Sequence, residues 1–177
     1  MVSECVALGC RPLDFAPMTK IREAVEADTP VIYEMIKELA LYEKEPDSVT
    51  STEEDVRTHL FGENPSVFAL VADNDGVLEG MALWFLSYST WEGRHGIWLE
   101  DLYVREEHRG KGLGTALLQE LARIAVDNDY RRVEWTVLKW NTPSIGFYEA
   151  MGAGDMGEWS TMRLDGDALR VLGSARG

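Results

Sequence analysis

The stretch Ile97-Trp-Leu-Glu-Asp-Leu-Tyr-Val-Arg-Glu-Glu-His-Arg-Gly-Lys-Gly-Leu-Gly114 decides the fold of this chain. It reads as an apolar strand, a short acidic turn and a glycine-rich loop, and a helix with one apolar face follows it. The loop has R-x-x-G-x-G spacing, with Arg109, Gly112 and Gly114 at the fixed positions. Free backbone N–H groups and the helix dipole attract anions at such a helix start, and glycines let a pyrophosphate approach the backbone. The stretch therefore predicts a phosphate site beside two adjacent acids, Glu100 and Asp101.

The pattern on either side of this stretch predicts one mixed α/β domain. Helices are expected after Thr29 as N-cap with Pro30 at the first helical position, after a capping box over 51–54, after the glycine loop, and after Asn141. Strands are predicted at 20–25, 67–72, 77–88, 96–104, 133–138 and 159–164, with a hairpin turn at 73–76. The domain is expected to span residues 18–170. Residues 1–17, which are aperiodic and contain two prolines, are expected to form a disordered extension.

Length and composition limit the function. The chain has 177 residues, enough for one domain, and its net charge of −14 makes nucleic acid and anionic membranes poor partners while favouring cationic ligands such as amines. Its longest uncharged run, at 80–91, is shorter than the about 18 residues that span a bilayer. Both cysteines, Cys5 and Cys10, precede the predicted domain. This excludes a disulfide framework or cysteine-based zinc site from the domain and, without a signal-peptide pattern, indicates a cytoplasmic protein. The three histidines do not cluster in the sequence, and no metal is expected.

Several motifs together resemble the GNAT superfamily of acyl-CoA-dependent N-acetyltransferases. They are an aromatic-rich hairpin, the Leu99-Glu-Asp-Leu-Tyr-Val104 strand, the glycine loop, and Trp140-Asn-Thr-Pro-Ser-Ile-Gly-Phe-Tyr148 downstream. With Ile36-Lys-Glu-Leu-Ala-Leu-Tyr-Glu43, they are most similar to the diamine (spermidine/spermine) acetyltransferases. The resemblance implies a mixed, mostly antiparallel sheet flanked by helices, whose strands at 97–104 and 132–138 splay apart for acyl-CoA. It also implies a homodimer that moves an acetyl group from acetyl-CoA to a primary amine by direct attack in a ternary complex.

The same resemblance assigns residues to the cofactor. The loop would hold the pyrophosphate through backbone N–H groups, and the strand before it would pair its backbone with pantetheine. Asn141 and Ser144 would contact the cofactor, cap their helix, or do both. Lys111 either attracts the nucleotide weakly or is a solvated charge. The residues implied for acetyl-CoA are Leu102, Tyr103, Val104, Arg109, Gly110, Lys111, Gly112, Leu113, Gly114, Asn141, Ser144 and Tyr148.

Two residues are assigned to catalysis. Glu100 is expected to be the general base, through a water molecule, and Tyr148 the general acid that protonates the thiolate of CoA. Glu100 and Asp101 would face opposite sides of a regular strand, and a β-bulge is expected here because bulges splay strands and re-aim side chains. Which of the two acids faces the acyl group stays open, and Tyr148 could instead be an ordinary core tyrosine.

The amine pocket is assigned to acids and aromatics, which suit a flexible cation through ion pairing and cation–π contact. Its candidates are Tyr42, Glu43, Trp91, Asp101 and Trp159; for Glu43 and Trp91 an exposed loop position is the alternative. The diamine enzymes carry an acid before the tryptophan, where this chain has Ser89-Thr-Trp91. A shorter diamine or a lysine analogue such as thialysine is therefore favoured over spermidine as the acceptor. A protein or peptide acetyltransferase and a non-catalytic acyl-CoA-binding module are the alternatives.

Overall fold

The computed structural model describes residues 19–174, so the expectation for residues 1–17 lies outside the described part. The described chain divides into two compact units, residues 19–136 and 137–174. The first unit contains β1 (Lys20–Glu23), α1 (Thr29–Tyr42), α2 (Glu53–Phe61), β2 (Phe68–Asn74), β3 (Val77–Ser89), β4 (Arg94–Val104), α3 (Leu113–Asp127) and β5 (Val133–Glu134). The second contains α4 (Thr142–Ala150) and α5 (Gly166–Ser174).

The five strands form one sheet in the order β1-β2-β3-β4-β5. The first three pairings are antiparallel and β5 pairs with β4 in parallel, which confirms the expected mixed, mostly antiparallel sheet. The β2–β3 turn places Asp75 and Gly76 at φ 50° and 89°, the left-handed values that a tight hairpin turn requires. The predicted hairpin is therefore confirmed.

The core of the first unit lies between the sheet and the helices α1 and α2. Ile32 and Met35 on α1 are fully buried against Val71, Met81 and other inward-facing strand residues. The buried residues Leu117 and Leu121 belong to α3, which packs against β2, β3 and β4. Burying side chains of this size contributes about 1.5–3 kcal/mol each, so these helices hold the sheet rigid beneath the site.

The structure places two helix N-termini one residue away from their predicted positions. The capping box is formed by Thr52 and Asp55, because Thr52 has the extended backbone of an N-cap and its hydroxyl accepts from the Asp55 amide, while Asp55 accepts from the Thr52 amide. The N-cap of α1 is Asp28, and Thr29 is already helical. The Asp28 carboxylate is engaged by Arg22 and by the Val25 amide.

The prediction for the end of the chain is wrong. Residues 159–164 form no strand, and no strand pairs with them among residues 19–174. The predicted strand at 133–138 is reduced to Val133–Glu134. Helix α5 was not predicted.

Candidate active site

A β-bulge in β4 displaces Glu100 from the strand register. Leu83 of β3 pairs with Asp101 and the next residue, Trp84, pairs with Leu99, so Glu100 has no partner across the ladder. The expected bulge is confirmed at this point. Glu100 is exposed, and its carboxylate accepts a hydrogen bond of 2.9 Å from the indole N–H of Trp98. The bulge therefore holds one acid outward, in a fixed contact with an aromatic side chain.

Asp101 faces the interior of the same site. It lies opposite Leu83, and residues directly opposite in an antiparallel pair share a face, so Asp101 is on the side packed by α1 and α2. Burial raises the pKa of Asp101 to about 7, and the charges of Glu100 and Glu43 contribute to the rise. Among residues 19–174, no donor forms a hydrogen bond with this carboxyl group. Three acids, Asp101, Glu100 and Glu43, therefore interact electrostatically at this position.

The third acid of this cluster lies at the end of α1. Tyr42 is the last residue of the helix and Glu43 its C-cap, whose amide donates to the Leu39 carbonyl, and Lys44 then adopts a left-handed conformation with φ 67°. Burial raises the pKa of the Glu43 carboxyl. Three of the predicted acceptor residues, Tyr42, Glu43 and Asp101, are therefore on elements of one unit, and two of them interact electrostatically.

The glycine loop has the backbone geometry of an anion site. Gly110 and Gly112 have φ of 75° and 83°, which side chains rarely tolerate, and an added Cβ at either would point into open space. Gly112 is the N-cap of α3, without a side-chain capping bond and without an acid in the first turn. The amides of the following residues, beginning at Leu113 and Gly114, precede the first intrahelical bond, which runs from Ala116 to Gly112. These features fit a pyrophosphate group.

The edge of β4 beside this loop is open over its last residues. Registered pairing with β5 is limited to Ile97–Val133 and Trp98–Glu134, whereas β4 continues to Val104. Leu102, Tyr103 and Val104 thus have no strand neighbour on that side among residues 19–174. A strand edge of this kind can pair with an extended amide-containing chain such as pantetheine.

A buried carboxylate, that of Glu79, connects the glycine loop to the sheet. The sequence did not reveal this residue. Glu79 on β3 accepts hydrogen bonds from Thr19 and Asn74, both at 2.8 Å, and contacts His108 Nδ1 at 3.0 Å. Its burial raises the pKa, but these hydrogen bonds and the charges of His108 and Lys111 outweigh burial and lower the pKa below the usual range. His108 directly precedes the glycine loop, so Glu79 connects the loop to the sheet. No motif marks Glu79, since its partners are distant in the sequence.

Arg105 and Trp98 are further contributors that the sequence did not single out. Arg105 forms ion pairs with Glu34 at 2.8 Å and Glu38 at 3.1 Å, which link α1 to the end of β4. Trp98 could have been found from the sequence, because it is two residues from Glu100 and side chains two apart share a strand face.

Trp91 and Lys111 do not join the acid cluster. Trp91 is 90% exposed in the β3–β4 turn, so the exposed-loop alternative describes it better than a closed pocket does. Lys111 is exposed, and its ammonium lies 3.3 Å from His108 Nδ1.

The second unit carries the remaining predicted residues. Asn141 is the N-cap of α4 and accepts from the Ser144 amide, so its capping role is present. Tyr148 lies on α4, with its ring 5.1 Å from that of Phe147. Trp159 lies in an irregular segment and is 70% exposed. Each predicted role of these residues stays a prediction.

The described residues offer no candidate for a membrane span or a metal centre. No helix within residues 19–174 is long and apolar enough to cross a membrane. In the same range, no group of three or more histidine, cysteine, aspartate or glutamate residues is arranged to hold a metal ion.

The glycine loop, the open strand edge and the mixed sheet together define an acyl-CoA-dependent transferase, and comparison with known families agrees. The Acetyltransferase (GNAT) family matches residues 31–153, more than half of the chain. The chain belongs to this family and is an acetyltransferase; GNAT acetyltransferases use acetyl-CoA as co-substrate. The resemblance found in the sequence is thereby confirmed at the level of family, fold class and enzyme class.

Individual relatives show which members of the family this chain resembles. The thialysine N-epsilon-acetyltransferase of Sus scrofa is 40% identical over 163 residues, which cover 86% of this chain and 95% of that protein. The spermidine/spermine N(1)-acetyltransferase-like protein 1 of Homo sapiens is 34% identical over 160 residues, covering 85% of this chain and 23% of that protein. An integron cassette protein from the mobile metagenome of V. cholerae is 24% identical with a TM-score of 0.75, covering 89% of this chain and 99% of that one, and has the same fold.

Proposed function

We propose that this protein transfers the acetyl group of acetyl-CoA to the terminal primary amine of a small cationic acceptor. The observation that carries the proposal is Asp101, a buried carboxyl group with Glu100 and Glu43 beside it and no hydrogen-bond donor among the described residues. An alkylammonium group would bring a positive charge to these three acids. Its binding would lower the pKa of Asp101, because an adjacent cation favours the ionised carboxylate.

The two acids at the bulge, Glu100 and Asp101, have different roles toward the amine. Asp101 binds the ammonium group, and Glu100 accepts its proton through a water molecule, since the exposed Glu100 is in reach of solvent. Deprotonation is required because an amine with a pKa near 10.4 is a cation at neutral pH and cannot attack a carbonyl. A backbone N–H of β4 stabilises the developing oxyanion, and Tyr148 donates a proton to the thiolate of CoA.

Acetyl-CoA supplies the acyl group when it is bound, and the residues described above fit it. The backbone of the glycine loop holds the pyrophosphate. The residues of this loop are Arg109, Gly110, Lys111, Gly112, Leu113 and Gly114. Leu102, Tyr103 and Val104 pair with pantetheine, and the family resemblance assigns Asn141, Ser144 and Tyr148 of the second unit to the same cofactor. The glycine conformations and the open β4 edge support this assignment.

An amino-acid acceptor such as thialysine is favoured over spermidine. The segment before Trp91 lacks an acid, so a long polyamine would lose one anionic contact. The relative from Sus scrofa, named for thialysine, matches over nearly its whole length, which supports the same preference. Tyr42, Glu43 and Asp101 are the proposed contacts of this acceptor, and the exposed Trp91 and Trp159 are the aromatic candidates that the sequence pattern assigns to it. A short diamine is the second candidate, supported by the relative from Homo sapiens named for spermidine and spermine.

The test is the rate of CoA release from acetyl-CoA with thialysine, lysine, putrescine, spermidine and a lysine peptide. We expect the highest kcat/KM with thialysine or a short diamine. Turnover confined to the peptide would refute a small-molecule acceptor, and acetyl-CoA binding without turnover of any amine would favour a non-catalytic module. Asp101→Asn should raise the KM for the preferred amine, with Asp155→Asn on an exposed segment as the matched control.

We further propose that the protein is a homodimer in the cytoplasm, as the resemblance to the diamine acetyltransferases implies. Light scattering after size exclusion would give about twice the chain mass of 19.9 kDa. A mass of one chain at micromolar concentration would refute the dimer.

A further inference from the structure

The side chain of Arg109 points back onto the protein. Its Nε donates a hydrogen bond of 2.9 Å to the Val104 carbonyl. The guanidinium carbon lies 5.0 Å from the ring centre of Tyr42 and 5.7 Å from that of Tyr103. No carboxylate among residues 19–174 forms an ion pair with it. One side chain of the glycine loop therefore contacts the last residue of α1 and the end of β4.

We propose that Arg109 is a positioning residue for the acceptor pocket: its guanidinium group holds the C-terminal end of α1, with Tyr42 and Glu43, against β4. The inference rests on the proposed function, in which these residues bind the amine. The backbone of the loop contacts the cofactor, so Arg109 couples the occupancy of the cofactor loop to the geometry of the acceptor residues.

The chemistry of arginine is what this position needs. A planar guanidinium can lie over a ring with its face while its edge donates a hydrogen bond, whereas a lysine ammonium has no such plane. Tyr103 is buried in the core, whereas Tyr42 is partly exposed at the end of α1. Loss of Arg109 would thus remove one of the contacts that hold Tyr42 and the helix cap that follows it.

The first test is a mutant cycle between the two side chains. Arg109→Gln should raise the KM for the amine about two- to fivefold, the equivalent of about 0.5–1 kcal/mol for an exposed cation–π contact. The same rise is expected in a Tyr42→Phe background, which keeps the ring, and it should nearly vanish in a Tyr42→Leu background. The dissociation constant of acetyl-CoA should change by one common factor in all three backgrounds. An equal effect of Arg109→Gln on the amine KM in all three would overturn the proposal.

Arg109→Lys separates positioning from charge. We expect this variant to raise the amine KM as Arg109→Gln does, because it lacks the planar group. If lysine restores the amine KM fully, a cation over the Tyr42 ring is sufficient and the requirement for a planar guanidinium is refuted.

Hydrogen exchange of backbone amides, measured on the protein without substrates, tests the positioning role independently of enzyme activity. The amides of Glu43 and Lys44 donate to the carbonyls of Leu39 and Leu41. In Arg109→Gln they should exchange about two- to fivefold faster, while the amide of Met35, in the buried part of α1, is unchanged. If the exchange changes but the wild type acetylates no amine, the proposed function fails and the positioning role stands. If the wild type is active and the exchange is unchanged, the positioning role fails alone.

Discussion

Asp101→Asn should make the protein more stable at pH values above about 4, by an amount that grows until about pH 7. An aspartate in an unfolded chain has a pKa of about 3.9, whereas burial raises that of Asp101 to about 7. Between these values the folded state binds more protons than the unfolded state, so the free energy of unfolding falls as the pH rises. A difference of about 3 units at about 1.36 kcal/mol each gives an upper limit of about 4 kcal/mol, fully lost above pH 7.

Asparagine has the shape of aspartate and no charge at any pH, so it avoids this loss. The variant should match the wild type near pH 4 and exceed it by up to about 4 kcal/mol at pH 9. In a chain of this length, 1 kcal/mol corresponds to about 2–4 °C in Tm, which gives a shift of about 8–16 °C at the limit.

The assay is urea unfolding followed by circular dichroism at pH 5, 6, 7, 8 and 9, with the m-value checked for constancy. Glu43→Gln provides the matched test, because the charge of Glu43 contributes to the raised pKa of Asp101. In that background the gain from Asp101→Asn at pH 9 should be smaller. A gain that is independent of pH, or a variant less stable than the wild type at pH 9, would refute the reasoning.

Three further predictions concern the loop, the proton donor and the buried glutamate. Gly112→Asp should abolish acetyl-CoA binding by calorimetry, whereas Gly112→Asn, which tolerates the left-handed backbone without a charge, should weaken it far less; equal losses would contradict the phosphate assignment. Tyr148→Phe should lower kcat about 10²-fold or more with little change in the dissociation constant of acetyl-CoA, and an unchanged kcat would return Tyr148 to a structural role. Glu79→Gln should cost about 1–3 kcal/mol at pH 7. Because the folded pKa of Glu79 is lowered, its contribution exists above the unfolded pKa of about 4.3 and is lost as the pH falls through the folded value, so the difference in chemical unfolding should shrink as the pH is lowered below about 4.3.

Much of the site could be predicted where local sequence determines backbone geometry. The R-x-x-G-x-G loop, the helix after it and the bulge at the paired acids were all expected, because each depends on a short segment. Which acid is buried could not be predicted. On a regular strand Glu100 and Asp101 would simply face opposite sides, and the side that becomes buried is decided by the packing of α1 against Leu83.

The errors share one physical cause, which is that pairing and burial depend on distant residues. The segment at 159–164 was predicted as a strand, but a strand forms only beside an edge with free hydrogen-bonding groups, and no strand pairs with these residues in the described part of the chain. Glu79 lies in an apolar run and is recognisable only once Thr19 and His108 are brought to it. Sequence reasoning therefore predicted the backbone geometry of the glycine loop and the bulge, and it missed side chains such as Glu79 that are held by tertiary contacts.

The consecutive hairpins of β2, β3 and β4 have a consequence for the order of folding. These strands contact neighbours in the sequence, so little loop entropy is lost when they pair, and such topologies form early. β1 is separated from its partner β2 by two helices and β5 from β4 by α3, so both should join later. The bulge, Glu79 and the open edge all belong to the early hairpins. Substitutions there should slow folding, whereas those in α3 or β5 should mainly speed unfolding. The part of the sheet that carries the proposed catalytic residues would then form before the rest of the chain has folded around it.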